Sequence, residues 1–326
     1  MTKVHATRLD PQPRLFYTTP LGEAHLGDSL AFLPQIEDES VNLILTSPPF
    51  ALKRKKEYGN EDEDKYVDWF MSFAKHLHRI LTPDGSFVLD LGGAYMPGSP
   101  IRSIYMFELL VRLVKEIGFY LAQEFYHYNP ARLPAPAEWV NVRRIRVKDS
   151  VNVVWWLSKS RNPKADNRKV LKPYSDSMRS LLRNGYTAKL RPSGHDISDK
   201  FNKDNGGAIP PNLLELANTD SNSTYQKMCR AAGLKVHPAR FPVGFAEFFI
   251  KFLTDAGDLV YDPFAGSNTT GLVAETLGRR WLASELSREY LEGSMFRFDA
   301  FPLERVLLNT TIRTANDFAI QRKTVI

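Results

Sequence analysis

Short apolar runs alternate with segments of helical periodicity along most of the chain. Residues 41–45, apolar except for Asn42, and the mostly apolar residues 86–91 are typical of strands buried on both faces of a parallel sheet. Between them, residues 66–81 carry apolar side chains at helical spacing. The alternation resumes with a helical pattern at 245–253 and an apolar run at 259–261. This order of elements predicts an α/β fold with a mainly parallel sheet.

Residues 159–236 break this pattern. Prolines, the pair Gly206-Gly207 and many Asn and Ser side chains interrupt the periodicity there, as they do in loops. We therefore expect residues 1–158 and 237–300 to form one α/β domain together. Residues 159–236 would be an irregular insert in that domain, and residues 301–326 a C-terminal tail.

The positive charge of the chain is concentrated in one segment. The whole sequence has a formal net charge of +6. Residues 132–191 contain 15 Lys and Arg but only four Asp and Glu, so this segment is strongly basic and the rest of the chain is acidic. A localised basic surface is typical of a protein that binds a polyanion. The alternative is a chance run of solvated Lys and Arg.

Composition limits the class of protein, its compartment and its chemistry. With 43% hydrophobic and 25% charged residues, the chain is globular and not disordered. Cys229 is the only cysteine, which excludes a disulfide framework, a cysteine-based zinc site and an iron–sulfur cluster within one chain. Residues 1–11 have no apolar core or cleavage signature, and no apolar run has the length of a membrane span. We expect a soluble cytoplasmic protein without a metal ion or membrane contact.

A loop rich in small residues follows the apolar run at 259–261. Residues 262–271 read D-P-F-A-G-S-N-T-T-G and lead into a predicted helix. Small residues let the backbone approach a ligand, and a helix N-terminus offers N–H groups. Glu285 lies 23 residues after Asp262, at the end of the next predicted strand, where a carboxylate can accept hydrogen bonds from ribose hydroxyls. The pattern is not G-x-G-x-x-G, so it favours a site for one nucleoside over a dinucleotide site, with an ordinary tight turn as the alternative.

A second loop follows the apolar run at 41–45. Residues 46–50 read T-S-P-P-F, and two prolines require a stiff loop at the end of a strand. Together the two loops resemble those of the DNA amino-methyltransferases, which transfer a methyl group from S-adenosylmethionine to an exocyclic amine of a base. Over residues 20–158 and 237–296, the chain is most similar to the cytosine-N4 modification enzymes of type II restriction–modification systems, the PvuII type in particular.

The resemblance implies a fold and a set of site residues. The fold would be α/β, with a doubly wound, mainly parallel seven-stranded sheet in which the catalytic half precedes the cofactor half (the permuted, or beta, arrangement). The catalytic residues would be Ser47, Pro48, Pro49 and Phe50. The residues that bind S-adenosyl-L-methionine, whose product is S-adenosyl-L-homocysteine, would be Asp28, Asp262, Phe264, Gly266, Asn268, Thr269, Thr270 and Glu285. The motif H-P-A-R-F-P at 237–242 would cover the methionine end. Asn268 departs from the family, which usually has a glycine there.

The chemistry of an aromatic amine explains the need for such a loop. The lone pair of the amine is delocalised into the ring, so the amine is a poor nucleophile. The Ser47 hydroxyl and the Pro48 carbonyl can accept both N–H groups and draw the nitrogen toward tetrahedral geometry, and Phe50 offers a face for stacking. A base within a duplex cannot reach such a pocket, so it must flip out. Asp90 ends the neighbouring predicted strand and can orient the Ser47 hydroxyl, or alternatively cap the Gly92-Gly93 turn.

Ser47 favours cytosine as the target base. In the family, Asp or Asn before the two prolines usually accompanies adenine, so an adenine-N6 methyltransferase is the alternative. Cytosine-C5 chemistry needs a reactive cysteine, and Cys229 lies far from both loops in the sequence. More distant alternatives are a catalytically inactive DNA-binding protein on the same frame and a methyltransferase that acts on RNA or protein amides.

The family keeps its target-recognition region in the place of residues 159–236. The residues predicted to contact DNA are Lys53, Arg54, Lys55, Lys56, Arg143, Arg144, Arg191 and His195. Their partner would be double-stranded DNA in the cytoplasm of a bacterium or archaeon. A monomer suffices to methylate the hemimethylated DNA that replication leaves, and a weak homodimer is the alternative. A restriction endonuclease would be linked to this protein by function, without a stable complex.

Overall fold

The structure is a computed structural model that describes residues 13–50, 63–96, 98–185, 203–217, 223–298 and 304–305. The strands in these ranges are β1 (Arg14–Thr18), β2 (Gly22–Leu26), β3 (Val41–Thr46), β4 (Leu81–Leu91), β5 (Tyr120–Tyr128), β6 (Val151–Ser158), β7 (Leu213–Glu215), β8 (Leu259–Asp262), β9 (Arg280–Glu285) and β10 (Glu304–Arg305). The α-helices are α1 (Ser29–Phe32), α2 (Glu63–Ile80), α3 (Tyr105–Arg112), α4 (Asp176–Asn184), α5 (Thr224–Ala231), α6 (Val243–Leu253), α7 (Thr269–Thr276) and α8 (Arg288–Ser294). None of these helices has the length and apolarity needed to cross a membrane.

The strands of the described ranges form one sheet, in the order β10-β1-β2-β9-β8-β3-β4-β6-β5-β7. From β2 to β4 in this order, neighbouring strands are parallel. β6 is antiparallel to both of its neighbours, β4 and β5. The seven strands from β2 to β5 are the predicted sheet in its permuted order, and this prediction is confirmed. β1 and β10 lengthen the sheet at one edge and β7 lengthens it at the other.

Helices cover both faces of the sheet. On one face, Phe70 of α2 and Leu109 of α3 belong to a fully buried apolar cluster. On the other face, Phe249 of α6, Val273 of α7 and Leu291 of α8 belong to a second one. The predicted doubly wound architecture is therefore confirmed. Because β3, β4, β8 and β9 run parallel, their carboxyl ends meet at one edge, the position where open α/β sheets bind ligands.

The described part of residues 159–236 contacts the α/β domain through one strand and one helix. β7 pairs in parallel with β5 and so contributes a strand to the sheet. Tyr225 and Cys229 of α5 pack with Phe296 into a small apolar cluster, and burial raises the pKa of the Cys229 thiol. The sequence pattern did not predict α4, β7 or α5, because each is short and bordered by loop residues.

Candidate functional site

A cleft of about 460 Å³ opens at the carboxyl edge of the sheet. The loop after β3 contributes Ser47, Pro48, Pro49 and Phe50 to its lining, and the loop after β8 contributes Phe264 and Thr269. Asp28, Asp90 and Glu285 line the same cleft, as do His237 and Phe241 of the segment 237–242. The structure thus brings the two loops of the sequence analysis into one cavity.

Asp262 joins the two loops. Its Oδ1 accepts hydrogen bonds from Thr46 Oγ1 at 2.7 Å and from the Phe264 N–H at 3.1 Å, and its Oδ2 accepts one from Thr270 Oγ1 at 2.7 Å. Burial raises the pKa of Asp262 to about 6, although these three donors oppose the shift. Asp262 and Thr270 were predicted to contact the cofactor. They do not line the cleft. Their side chains bond to each other, and Asp262 also accepts from Thr46 and Phe264, so their contact with the cofactor stays a prediction.

Two residues of the cofactor loop adopt left-handed backbone conformations. Gly266 has φ +52, and a Cβ built there would lie 2.8 Å from His237 Nε2, so only glycine fits without a shift. Asn268 has φ 51, and its side chain caps α7 by accepting from the Gly271 N–H at 3.0 Å. Its Nδ2 also donates to the Tyr17 hydroxyl at 2.9 Å. Asn adopts this conformation more readily than most residues, so it serves where the family usually has glycine. Gly266 and Asn268 do not line the cleft, and their contact with the cofactor stays a prediction.

Glu285 ends β9 and faces the cleft. Its Oε2 accepts from the Gly266 N–H and its Oε1 from the Ser287 N–H, each at 2.8 Å. Burial raises the pKa of Glu285 to about 7, against the effect of these donors. Each oxygen keeps a further lone pair, so the carboxylate can accept two hydroxyl groups held side by side, as they are in a ribose.

Phe264 offers an aromatic face in the same part of the cleft. Its ring centroid lies 5.7 Å from that of Trp69 and 5.2 Å from that of Phe73, so two rings of α2 fix its orientation. Asp28 caps α1 by accepting from the Leu30 N–H at 2.9 Å and stays exposed at the cleft. An aromatic face, a carboxylate pair and a glycine-containing loop fit the adenosine part of S-adenosylmethionine. The sequence did not point to Trp69 or Phe73 as lining residues: Phe73 was expected on the apolar face of the helix predicted at 66–81, and no pattern marked Trp69.

Ser47 and Asp90 form a polar pair in the lining of the cleft. Ser47 Oγ donates to Asp90 Oδ2 at 3.0 Å. Asp90 is 3% exposed, and burial raises its pKa, although His127, Ser47, Asn152 and Arg132 oppose the shift. The carboxylate is therefore bonded to Ser47 and not to the Gly92-Gly93 turn, which was the alternative for Asp90. Phe50 packs against Gly92, where a Cβ would lie 2.5 Å from its ring.

Four further polar residues of the lining were not found from the sequence: His127, Asn129, Arg132 and Asn152. They come from the end of β5, the loop after it and the start of β6. No local motif marks them. They reach the site only because antiparallel β6 pairs with both β4 and β5, and the order of strands in the sheet is not readable from periodicity.

The residues predicted to contact DNA are only partly covered by the structure. Arg143 and Arg144 are exposed, and the Arg143 guanidinium lies 5.0 Å from the centroid of the Trp139 ring. Lys53, Arg54, Lys55, Lys56, Arg191 and His195 lie outside the described residues. Within those residues, no group of three or more His, Cys, Asp or Glu side chains is placed to hold a metal ion.

Comparison with known proteins gives concordant matches over most of the chain. A family model described as DNA methylase (N6_N4_Mtase) matches residues 41–296. The type II methyltransferase M.PvuII of Proteus hauseri is 58% identical over 285 residues, which cover 86% of this chain and 85% of M.PvuII. A solved structure of the PvuII DNA methyltransferase (cytosine-N4-specific) matches with a TM-score of 0.71 and 48% identity, covering 90% of this chain and 89% of that one. The M1.HpyAVI–SAM complex, at 18% identity, shares the fold with a TM-score of 0.53 over 86% of this chain and 100% of that one.

Proposed function

The chain belongs to the DNA methylase family, and from this premise we propose that it is a site-specific DNA methyltransferase that methylates cytosine at N4. It transfers a methyl group from S-adenosylmethionine to a cytosine in a short duplex sequence, as the modification enzyme of a type II restriction–modification system. The observation that carries the proposal is the Ser47–Asp90 hydrogen bond of 3.0 Å in the same cleft as Phe264 and Glu285. The 58% identity to M.PvuII supports cytosine over adenine as the target.

The cofactor part of the cleft would hold S-adenosylmethionine through few groups. Glu285 would accept the ribose hydroxyls, Phe264 would stack on the adenine, and Asp28 would accept from a polar edge of the nucleoside. When bound, the cofactor supplies a methyl group attached to a positively charged sulfur. His237 and Phe241 would cover the methionine end and exclude water from it.

The catalytic part of the cleft would activate the amine by holding its hydrogens. Because the Ser47 hydroxyl donates to Asp90, its lone pairs stay available to accept one N–H of the amine. The Pro48 carbonyl accepts the other, and Phe50 stacks on the ring. Asp90 orients Ser47, and burial raises its pKa, which makes the carboxylate a better acceptor for the proton that the amine loses.

Recognition of DNA would fall to the basic segment and to the region 159–236. Residues 1–158 and 237–300 would hold the cofactor and the flipped base, and 159–236 would read the sequence. Arg143, Arg144 and the basic residues outside the described ranges would contact phosphates and base edges. The protein would act as a monomer or weak homodimer in the cytoplasm, and a cognate endonuclease would meet it only at the shared DNA site.

Tritium transfer from S-adenosylmethionine to plasmid DNA tests the proposed function. The DNA is then digested to nucleosides, and the methylated nucleoside is identified by mass spectrometry. N4-methylcytosine is the expected product, while N6-methyladenine would overturn the choice of base. Ser47→Ala should lose turnover and keep its affinity for S-adenosylmethionine. Loss of both together would show that Ser47 has a different role, and a wild-type protein that binds no cofactor would be a DNA-binding protein only.

A further inference from the structure

Three polar side chains of the cleft lining, His127, Arg132 and Asn152, have no role in the proposed methyl transfer. Among them, His127 of β5 and Asn152 of β6 are paired in register. Asp90 of β4 pairs with Val154, two residues along the same β6 strand. Because side chains two residues apart lie on the same face of a strand, Asp90, Asn152 and His127 share one face at the carboxyl edge of β4.

Contacts link these side chains in a row that begins at the catalytic serine. Ser47 Oγ donates to Asp90 Oδ2 at 3.0 Å. Asn152 shares the face of Asp90 in the sheet, and its side chain lowers the pKa of Asp90 and so favours the charged form. Arg132 Nη1 in turn donates to Asn152 Oδ1 at 3.0 Å. The row therefore runs from the hydroxyl that would hold the amine to a partly buried guanidinium.

This end of the cleft contains polar atoms that call for a polar ligand. Asp90 Oδ1 and His127 Nδ1 are buried and make no hydrogen bond within the described part of the chain. Their residues are 3% and 7% exposed, and both line the cleft. Buried polar atoms are nearly always paired in folded proteins. Arg132 has further donors too, since a guanidinium carries five N–H groups and one of them bonds to Asn152.

We propose, on the basis of the proposed function, that Arg132 donates hydrogen bonds to N3 and O2 of the flipped cytosine and thereby selects cytosine over adenine. Cytosine presents its amine, N3 and O2 in a row along one edge. Once Ser47 and Pro48 hold the amine, two adjacent acceptors remain, and the paired donors of a guanidinium match them. Adenine presents N1 beside its amine and then a C–H, so it leaves one donor of Arg132 without a partner. Asn152 is the positioning residue that holds the guanidinium in place.

A duplex with 3-deazacytosine at the target position tests the contact with N3. This base keeps the amine and O2 but has a C–H in place of N3. Wild-type protein is expected to lose about tenfold or more in kcat/KM when cytosine is replaced by 3-deazacytosine. Arg132→Ala is expected to be about 10- to 100-fold slower on cytosine and to show no further loss on 3-deazacytosine. An equal loss in both proteins on replacing the base would overturn the proposal.

A second pair of duplexes carries cytosine or adenine at the target position. Arg132→Ala should lower the rate on cytosine by a larger factor than the rate on adenine, because cytosine loses two hydrogen bonds and adenine loses one. Arg132→Lys keeps the charge but not the paired donors, so it should recover little of the preference. Arg280→Ala is the matched control, because Arg280 is exposed and begins β9, so it lies at the amino ends of the parallel strands, away from the cleft. Its rates on both duplexes should equal those of the wild type.

The remaining outcomes separate this proposal from the function on which it rests. If Arg132 variants bind all duplexes more weakly, with a smaller salt dependence and an unchanged base preference, Arg132 contacts phosphate and the proposal is wrong. If Arg132→Ala does not fold, Asn152→Ala carries the test, with a reduced loss on 3-deazacytosine as the expected result. A wild-type protein without N4 activity would overturn the proposed function as well, whereas N4 activity with unaltered base preference in every variant would overturn this proposal alone.

Discussion

Thr46 Oγ1 donates to Asp262 Oδ1 at 2.7 Å, across 216 positions of the sequence. Thr46 is the last residue of β3, directly before the catalytic loop, and Asp262 is the last residue of β8, directly before the cofactor loop. This hydrogen bond fixes the position of Ser47 relative to Phe264. In the proposed function it would set the alignment between the methyl donor and the amine that receives the methyl group.

Thr46→Val removes this donor while keeping the shape of the side chain. The buried Asp262 oxygen then lacks one partner, so we predict that the free energy of unfolding falls by about 1–3 kcal/mol. Misalignment of the two loops should also slow methyl transfer about tenfold or more. Denaturant unfolding and single-turnover kinetics measure the two effects. Thr276→Val is the control, because the Thr276 hydroxyl is exposed and bonds only to the Leu272 carbonyl of its own helix, and equal effects in both variants would contradict the prediction.

Glu285 should make the binding of S-adenosylmethionine depend on pH near neutrality. Burial raises the pKa of Glu285 to about 7, and an ionised carboxylate accepts ribose hydroxyls better than a carboxylic acid does. We predict that the affinity falls as the pH drops below 7, by up to about tenfold per pH unit. Glu285→Gln should remove this dependence. Calorimetric titrations of both proteins over a pH series test the prediction, and parallel profiles would refute it.

The same pKa shift should act in the opposite direction on the stability of the protein without cofactor. The pKa of Glu285 rises from its ordinary value of 4.5 to about 7 on folding, so the folded state binds more protons than the unfolded state between these values. The stabilisation is fully present below about pH 4.5, and the free energy of unfolding falls as the pH rises toward 7. Asp262, with a pKa raised to about 6, adds to this trend. Thermal unfolding of Glu285→Gln should show a weaker decline than that of the wild type.

Asp90→Asn should slow methyl transfer about 100-fold and leave the affinity for S-adenosylmethionine unchanged. The amide keeps the shape of the side chain but no longer offers a negative charge to the Ser47 hydroxyl or to the departing proton. Single-turnover transfer of labelled methyl to DNA measures the rate. The control is Asp68→Asn, which removes an exposed carboxylate that pairs with Arg112 on the surface. Full turnover in Asp90→Asn with intact cofactor binding would show that Asp90 has no catalytic role.

Arg143 and Arg144 should contribute to DNA affinity without regard to sequence. If each contacts a phosphate, the double Ala variant should bind specific and non-specific duplexes more weakly by the same factor. The slope of log affinity against log salt should decrease by about two. Fluorescence anisotropy at several salt concentrations measures both quantities, with Arg112→Ala as a control for the loss of a surface arginine. A salt slope that does not change would show that these residues do not contact the DNA backbone.

The parallel part of the sheet and the main residues of the cleft could be predicted from the sequence. A strand buried on both faces reads as an apolar run, and β3, the second half of β4 and β8 do so. The two loops follow such strands directly, so Ser47 and Phe264 were expected at a common edge, and Glu285 with them.

The direction of individual side chains could not be predicted in this way. Asp262 looks like a ligand-binding acid in the motif, yet its carboxylate faces Thr46 and Thr270. Only the three-dimensional packing shows this, because the same motif sequence is compatible with an Asp262 carboxylate that faces the cleft and with one that faces the neighbouring loops. Arg132 and Asn152 lie in no motif at all, and they reach the site through the antiparallel pairing of β6.

The position of β3 between β4 and β8 has a consequence for how the protein folds during translation. β4 follows β3 soon after in the sequence, but β8 emerges only once nearly the whole α/β frame has been translated. Until then, one edge of β3 has no partner strand, and the catalytic loop lacks the contact from Asp262 that sets its place. Such non-local pairing is slow and leaves unpaired edges exposed during synthesis. We therefore expect the cleft to be complete only after β8 and β9 have joined the sheet.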